Sequence, residues 1–352
     1  MRVALIASGP GSLGGQEVQA AALQDRLREE GHQVIRIPID PRFPRPLSWV
    51  RRWPYARTLL NQAMYLPSLR RLREVDVVHI FSASFWSFLL APAPAISASR
   101  LFGKRVVLHY HSGEAEEHLA RWGLLVHPFL RLVDDIVVPS EYLRKIFAHH
   151  GHRARVIRNI VDTARFRYRE RPPLRPRFLS ARNLEPHYRV DVTIRAFSRL
   201  KMRYPGATLT VAGSGSQEKH LKGLVTALGA EGVRFAGAVD PLRMPELYEE
   251  ADILLNASVV DNQPVSVLEA FAAGLPVVST ATGDLANLIR HRTTGLLVPR
   301  EDPEAMADAA SYLLGNPNRA LLIARSARQE AEKFRWESVR SSWLAVYAGR
   351  PS

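Results

Sequence analysis

The pattern that most constrains this chain is a series of short apolar runs, rich in Val, Ile and Leu, spaced along its whole length. In the first half they read RVALIAS, QVIRIPI, DVVHIF, RVVLHYH, DIVVPS and RVIRN; in the second half RFLSAR, TLTVAGS, VRFAGAV, DILLNAS, PVVST and GLLVP. Runs that lack a polar alternation mark strands buried on both faces, which occur in parallel sheets covered by helices. Between them lie stretches such as QEVQAAALQDRLREEG, where apolar residues recur at helical spacing and Gly31 supplies a C-cap. Strand and helix in alternation predict an α/β class with doubly wound sheets. Two sets of runs in 352 residues predict two such domains. The boundary is expected within 165–178, RFRYRERPPLRPRF, where Pro and Arg cluster and the periodicity lapses.

Composition narrows the function. Apolar residues at 46% and charged residues at 23% suit a soluble globular protein. No apolar run approaches the roughly 18 residues of a membrane span. The opening MRVALIASGPGSLGG has too short an apolar run for a signal peptide. The absence of cysteine excludes disulfides, thiolate metal sites and Cys nucleophiles, and fits a reducing cytoplasm. The net charge is +14, and of the 48 basic residues only six are Lys. Genome composition is the plain reading of that Arg bias; an anionic partner is the functional one. Residues 41–73 favour the second, with eight Arg, no acid, and Trp49, Trp53, Tyr55 and Tyr65 interleaved. Such a stretch suits an anionic membrane surface, and a nucleic acid less well given the enzyme-like architecture around it.

The chemistry concentrates in DNQPVSVLEAFAAGLPVVST, residues 261–280. It follows one strand run and ends in another, so it reads as loop, helix and strand. In doubly wound folds ligands bind at the carboxyl ends of strands. A helix starting near Val265 and Ser266 offers unpaired N–H groups to a phosphate, and Pro264 suits its first turn. Glu269, one turn in, can accept from two adjacent hydroxyls, as on a ribose. Asp261, on the loop, can reach a second polyhydroxyl group, so the two acids bracket a diphosphate.

The Asp-x7-Glu spacing with AFAAGLPVVST resembles the Glu-x7-Glu signature of family 4 glycosyltransferases, which have the GT-B fold. The likeness extends through GGQEV, YHSG, PSEYLRK, VIRNIVDTARF, SARNLEP, VAGSG, VRFAGAV and TGLLVP in order. It implies two Rossmann-like domains facing a central cleft: an acceptor-side domain over 1–165, a nucleotide-sugar domain over 166–335, and a final helix, 336–350, packing back on the first. It also implies retaining transfer from a nucleotide sugar, with the leaving diphosphate taking the acceptor's proton. Gly14 and Gly15 would form the turn near the donor phosphates, and His111 would lie close to the transferred sugar. Arg182 would pair with the diphosphate, Asp261 with the donor sugar and Glu269 with the ribose. Asn262, Gln263, Pro264, Val265 and Ser266 would make up the phosphate loop.

Three positions depart from that pattern. Asp261 stands where Glu is usual, Ile160 replaces the glycine of an NGVD-type turn, and Tyr188 replaces the phosphate-binding Lys, leaving Arg189 beside it as the candidate charge. His109 is read as structural, facing the opposite side of its strand from His111. No Asp-x-Asp pair occurs, and neither metal nor other cofactor is expected. The expectation is a cytoplasmic or peripherally membrane-bound glycosyltransferase of cell-envelope polysaccharide or glycolipid synthesis. Its acceptor is unnamed, a lipid-linked one being in view, and no nucleic acid is expected as partner. The alternatives are a non-hydrolysing sugar-nucleotide epimerase and a non-catalytic nucleotide-sugar-binding protein.

Overall fold

A computed structural model describes residues 1–9, 14–82 and 84–350; residues 10–13 of the glycine-rich turn lie outside it. Each of the twelve apolar runs forms a strand. In the first half these are β1 (Arg2–Ala7), β2 (Gln33–Pro38), β3 (Val77–Ser82), β4 (Arg105–Tyr110), β5 (Asp135–Val138) and β6 (Ala154–Val156). In the second half they are β7 (Arg177–Ala181), β8 (Thr208–Ala212), β9 (Val233–Gly237), β10 (Ile253–Asn256), β11 (Val277–Thr280) and β12 (Leu296–Val298). They make two parallel sheets, ordered β2-β1-β3-β4-β5-β6 and β12-β11-β10-β7-β8-β9. Burial on both faces explains the sequence pattern. In β10, Ile253 and Leu255 join one apolar cluster while Leu254, between them, joins the cluster on the other side.

The chain divides into two compact units, Met1–Arg158 with Val339–Ser352, and Asn159–Ser338. The last helix, Trp336–Tyr347, carries the chain from the second unit back to the first. The Pro- and Arg-rich stretch expected as a boundary belongs instead inside the second unit. Its arginines have a structural task, because Asp252 is buried and Arg175 and Arg177 approach its carboxylate at 3.5 and 2.7 Å. Arg171, also buried, donates to the carbonyls of Ala251, Arg169, Ala273 and Tyr248 at 2.7–3.1 Å. Burial lowers its pKa to about 10, which leaves it charged at neutral pH.

The Arg- and aromatic-rich stretch 41–73 folds as the helix Pro54–Ser68 flanked by two 3-10 segments, Arg45–Arg52 and Leu69–Glu74. It is not one continuous surface. Tyr65 is fully buried and donates its hydroxyl to the Ala91 carbonyl at 2.8 Å, and Leu69 and Leu72 enter the core beside it. Trp49, Trp53 and Tyr55 remain exposed. Among the described residues no helix is long and apolar enough to cross a membrane.

Replacing Arg171 by Met removes its donors from four carbonyls, three of them buried, of which Ala273 keeps the Arg169 N–H; each lost bond is worth on the order of 1 kcal/mol. Arg171→Met is therefore expected to cost the second unit about 3 kcal/mol, or ~6–12 °C in its melting transition. Calorimetry showing an unshifted transition would contradict the structural reading of this arginine.

Candidate active site

In the second sheet β8 and β9 lie to one side of β7 while β10 lies to the other, so the strand order reverses between β7 and β10. Loops diverge at such a point and leave a crevice at the carboxyl edge. Arg182 follows β7 and Asp261 follows β10, and there their side chains meet, Nη2 to Oδ2, at 2.5 Å. Both are about 90% buried. Burial alone would lower the Arg182 pKa, but the Asp261 carboxylate outweighs it and holds the guanidinium above its ordinary value. Arg182 also lies over the Tyr188 ring, 4.1 Å from its centroid, and its Nε has no acceptor in the protein. The residue standing where a Lys was expected is thus the platform for the site's arginine. Arg189 does not supply the missing charge. It turns onto Asp191 at 3.0 Å and pairs with Glu301, so its charge is already met.

Glycines bring these loops together. Gly213 has φ +142°, and a Cβ there would collide with the Arg182 carbonyl. Gly283, φ +54°, abuts the Asp261 carbonyl in the same way. The VAGSG turn is therefore a packing element of the site.

The helix Val265–Ala273 begins directly after the Asp261 loop, with Pro264 as N-cap and no side chain capping it. Among the described residues the N–H groups of Val265 and Ser266 find no acceptor, as expected of a first turn. The Ser266 hydroxyl is buried and equally without a partner. Gln263 has a different role: its side-chain and backbone oxygens accept from Asn159 N–H and Nδ2, both at 2.9 Å, which fixes the loop. The neighbouring Ile160, in place of glycine, is a core side chain. Asn262 is also buried, and its N–H donates to Asp261 Oδ1 at 3.0 Å. One turn into the helix, Glu269 accepts from the buried Tyr248 hydroxyl at 2.8 Å. Burial nevertheless pushes the Glu269 carboxyl up to about 7.

In the first sheet the order reverses between β1 and β3. Gly14, after β1, is the N-cap of helix Gly15–Glu29 in an extended conformation, with open space where a Cβ would stand. The Gln16 side chain donates to the Ser82 carbonyl at 3.0 Å and ties the β1 and β3 loops together. His111, just past β4, lies against His109, ring centroids 4.0 Å apart and the rings tilted by 51°. This corrects the sequence reading: residues two apart on a strand share a face, and Tyr110 points the other way, to Ser84 and His118.

Behind His111 runs a buried polar chain. His79 Nδ1 is 2.7 Å from the Tyr347 hydroxyl, and His79 Nε2 is 3.2 Å from His109 Nδ1. A buried phenol with one partner must spend its proton there, so Tyr347 donates to His79 and His79 Nε2–H donates to His109. Burial holds His79 and His111 down at about 3 and His109 well below its usual range. The three imidazoles are neutral at pH 7, and His111 Nε2 has no partner within the protein. Sequence reasoning missed Tyr248, Tyr347 and His79. No local motif marks them; each matters only through the group it meets across the fold.

Residues 13–165 match the Glycosyltransferase Family 4 description and residues 164–330 that of Glycosyl transferases group 1. Glycogen synthase of Mycobacterium tuberculosis is 30% identical over 288 residues, covering 77% of this chain and 68% of that protein. The GDP-mannose-dependent alpha-(1-6)-phosphatidylinositol monomannoside mannosyltransferase of the same organism is 28% identical over 350 residues, 91% and 84% of the two chains. Among solved structures, sucrose-phosphate synthase of Thermosynechococcus elongatus superposes with a TM-score of 0.80 at 19% identity, over 99% of this chain and 98% of that one. HepE of Anabaena in complex with UDP gives 0.75 at 18%, over 99% and 100%. The chain belongs to the family 4, group 1 glycosyltransferases and has the two-domain α/β GT-B fold. It is a glycosyltransferase, which sets aside the epimerase and the non-catalytic binding protein.

The raised Glu269 pKa gives a signed expectation. The unfolded carboxyl ionises near 4.5 and the folded one near 7, so this residue's contribution to stability is full below pH 4.5 and lost as pH rises through 7. Glu269→Gln is expected to match the native protein at pH 4 and to exceed it at pH 8 by about 2 kcal/mol, discounted for residual hydration. Urea unfolding at the two pH values measures it; equal stability at pH 8 would contradict the burial argument.

Proposed function

We propose that the protein is a retaining glycosyltransferase whose second unit holds a nucleoside diphosphate sugar. The observation that carries this reading is the grouping, at one switch point, of a buried arginine with unspent donors, an uncapped helix start and two acids. Glu269 takes the ribose hydroxyls. The N–H groups of Val265 and Ser266, the Ser266 hydroxyl and Arg182 take the diphosphate. Asp261 takes hydroxyls of the sugar. His111, in the first unit, is neutral and so offers a hydrogen bond rather than a charge. The C–O bond to the diphosphate breaks as the acceptor oxygen bonds to the anomeric carbon on the same face, and the acceptor's proton passes to the departing phosphate oxygen. In this reading Arg182 and the helix N-terminus meet the leaving charge and no metal ion takes part.

The comparisons support a sugar-nucleotide donor. The mannosyltransferase relative is named for GDP-mannose, and HepE is described with UDP-glucose. The acceptor side of the reading is a hydroxyl of a cell-envelope glycolipid or polysaccharide, reached at the cytoplasmic face of a membrane. The exposed Trp49, Trp53 and Tyr55 in an acid-free, Arg-rich segment support it.

Assigning the two acids to opposite ends of the donor separates their variants. Glu269→Ala removes binding present in ground and transition states alike and is expected mainly to raise the donor KM. Asp261→Ala misplaces the reacting carbon and is expected mainly to lower kcat, by about 100-fold. Steady-state kinetics with UDP-glucose and GDP-mannose measures both. A kcat loss confined to Glu269→Ala would reverse the assignment.

A further inference from the structure

The arginines around Asp252 carry more charge than their structural task uses. Arg169, Arg171, Arg175 and Arg177 all lie within 4.0 Å of that one buried carboxylate. Glu249 beside them faces a fifth arginine, Arg167, at 3.8 Å. Five guanidiniums against two carboxylates leave an excess of three positive charges. The lowered pKa of Arg171 records that excess. After burial, the charge of Arg169 is the largest cause of the lowering, and it outweighs the opposing pull of Asp252.

The donors of the group are as poorly met as its charge. Arg171 uses its own on four carbonyls. Arg169 Nη2 donates to the Glu249 carbonyl at 2.9 Å, but its Nε is buried without an acceptor. Arg177 Nε donates to Asp252 at 2.7 Å, while its Nη2 is likewise buried and unmet. Arg175 is 55% exposed, stands 3.5 Å from Asp252 and makes no side-chain hydrogen bond among the described residues. Guanidinium donors left without acceptors in a half-buried place are costly, and an anion with several oxygens removes that cost.

The cluster lies at the opposite edge of the second sheet from Arg182 and Asp261. Arg177 opens β7 and Asp252 precedes β10, so both stand at the amino edge, whereas Arg182 and Asp261 follow the same two strands. The length of β7 separates Arg177 from Arg182, ~17 Å of extended chain. A diphosphate held by Arg182 therefore leaves these arginines unmet. Guanidinium forks match the oxygens of a tetrahedral oxyanion, and a phosphate brings the multiple charge that the excess calls for. No large apolar residue within 165–177 or 249–252 is exposed. The cluster thus has no anchor for a bilayer, and the phosphate it suits is that of a soluble molecule.

We propose that the arginines around Asp252 form a second anion site, separate from the donor site, that takes the phosphate or pyrophosphate group of a soluble molecule. Binding there ties segment 165–177 to the start of β10 and stabilises the second unit. Calorimetric titration of pyrophosphate tests this on the whole chain, with ionic strength fixed by sodium chloride. Arg182→Ala, which lacks the donor-site arginine, is expected still to bind one equivalent. Adding Arg169→Gln and Arg175→Gln is expected to weaken that binding about a hundredfold, since two charge-assisted contacts are lost. Arg175→Gln alone has no hydrogen bond of the fold to lose and is expected to cost about tenfold. If Arg182→Ala binds no pyrophosphate, or Arg175→Gln leaves its affinity unaltered, the site is overturned. The native chain keeps the donor reading separate. Two equivalents bound support both readings; a single equivalent lost in Arg182→Ala fails this proposal alone; a single equivalent lost only with Arg169 and Arg175 fails the donor reading alone. Phosphatidylglycerol vesicles are expected not to displace pyrophosphate from Arg182→Ala, and displacement would overturn the soluble source.

Discussion

A guanidinium buried against a single carboxylate is electrostatically under-used, and the site in the second unit is organised around that fact. Arg182 carries five N–H donors. One is spent on Asp261, the Tyr188 ring covers a face of the group, and Nε has no acceptor in the protein. The surrounding loops exist in this form because they hold it. Gly213 lets the β8 loop pass against the Arg182 carbonyl, and Gly283 does the same at Asp261. In the proposed function a diphosphate, with more charge than one carboxylate, takes over the arginine and leaves Asp261 for the sugar. The ion pair is then a holding arrangement, keeping both groups charged and placed until the donor arrives.

The first unit uses the same sheet architecture with the opposite electrostatics. Its carboxyl edge presents a neutral imidazole, His111, backed by His109, His79 and Tyr347. Tyr347 lies on the last helix, so the chain's end fixes the hydrogen-bond polarity of a site begun at β3 and β4. Such a chain cannot hold charge cheaply, because burial penalises each protonated ring. In the proposed function, a charged site in the second unit and an uncharged imidazole cluster in the first suit a reaction in which charge leaves on one partner only.

The strands were legible because burial on both faces writes itself as uninterrupted apolar runs, and all twelve form. Glu269 was legible as a carboxylate one turn into an apolar helix, and Arg182 through its motif. What failed depended on partners that only the fold identifies. Arg189 reads as a free charge until Asp191 and Glu301 are seen beside it. The arginines of 165–178 read as a linker until the buried Asp252 is placed among them. Tyr65 reads as a surface aromatic, although it is core and Tyr55, Leu59 and Leu66 are the residues of its helix that face out. His109 was misplaced for a simpler reason, the period of two along a strand.

The central claim, that Asp261 holds Arg182 in trust for a diphosphate, is most directly tested by calorimetric titration of UDP and GDP into Asp261→Asn. Removing the carboxylate leaves a buried charge uncompensated, which costs stability in the free protein and favours any anion that restores the balance. The account predicts that Asp261→Asn binds the nucleoside diphosphate more tightly than the native protein, while Arg182→Ala binds it far more weakly. If Asp261→Asn loses affinity as Arg182→Ala does, the pair is a fixed structural element and the exchange of partners does not occur.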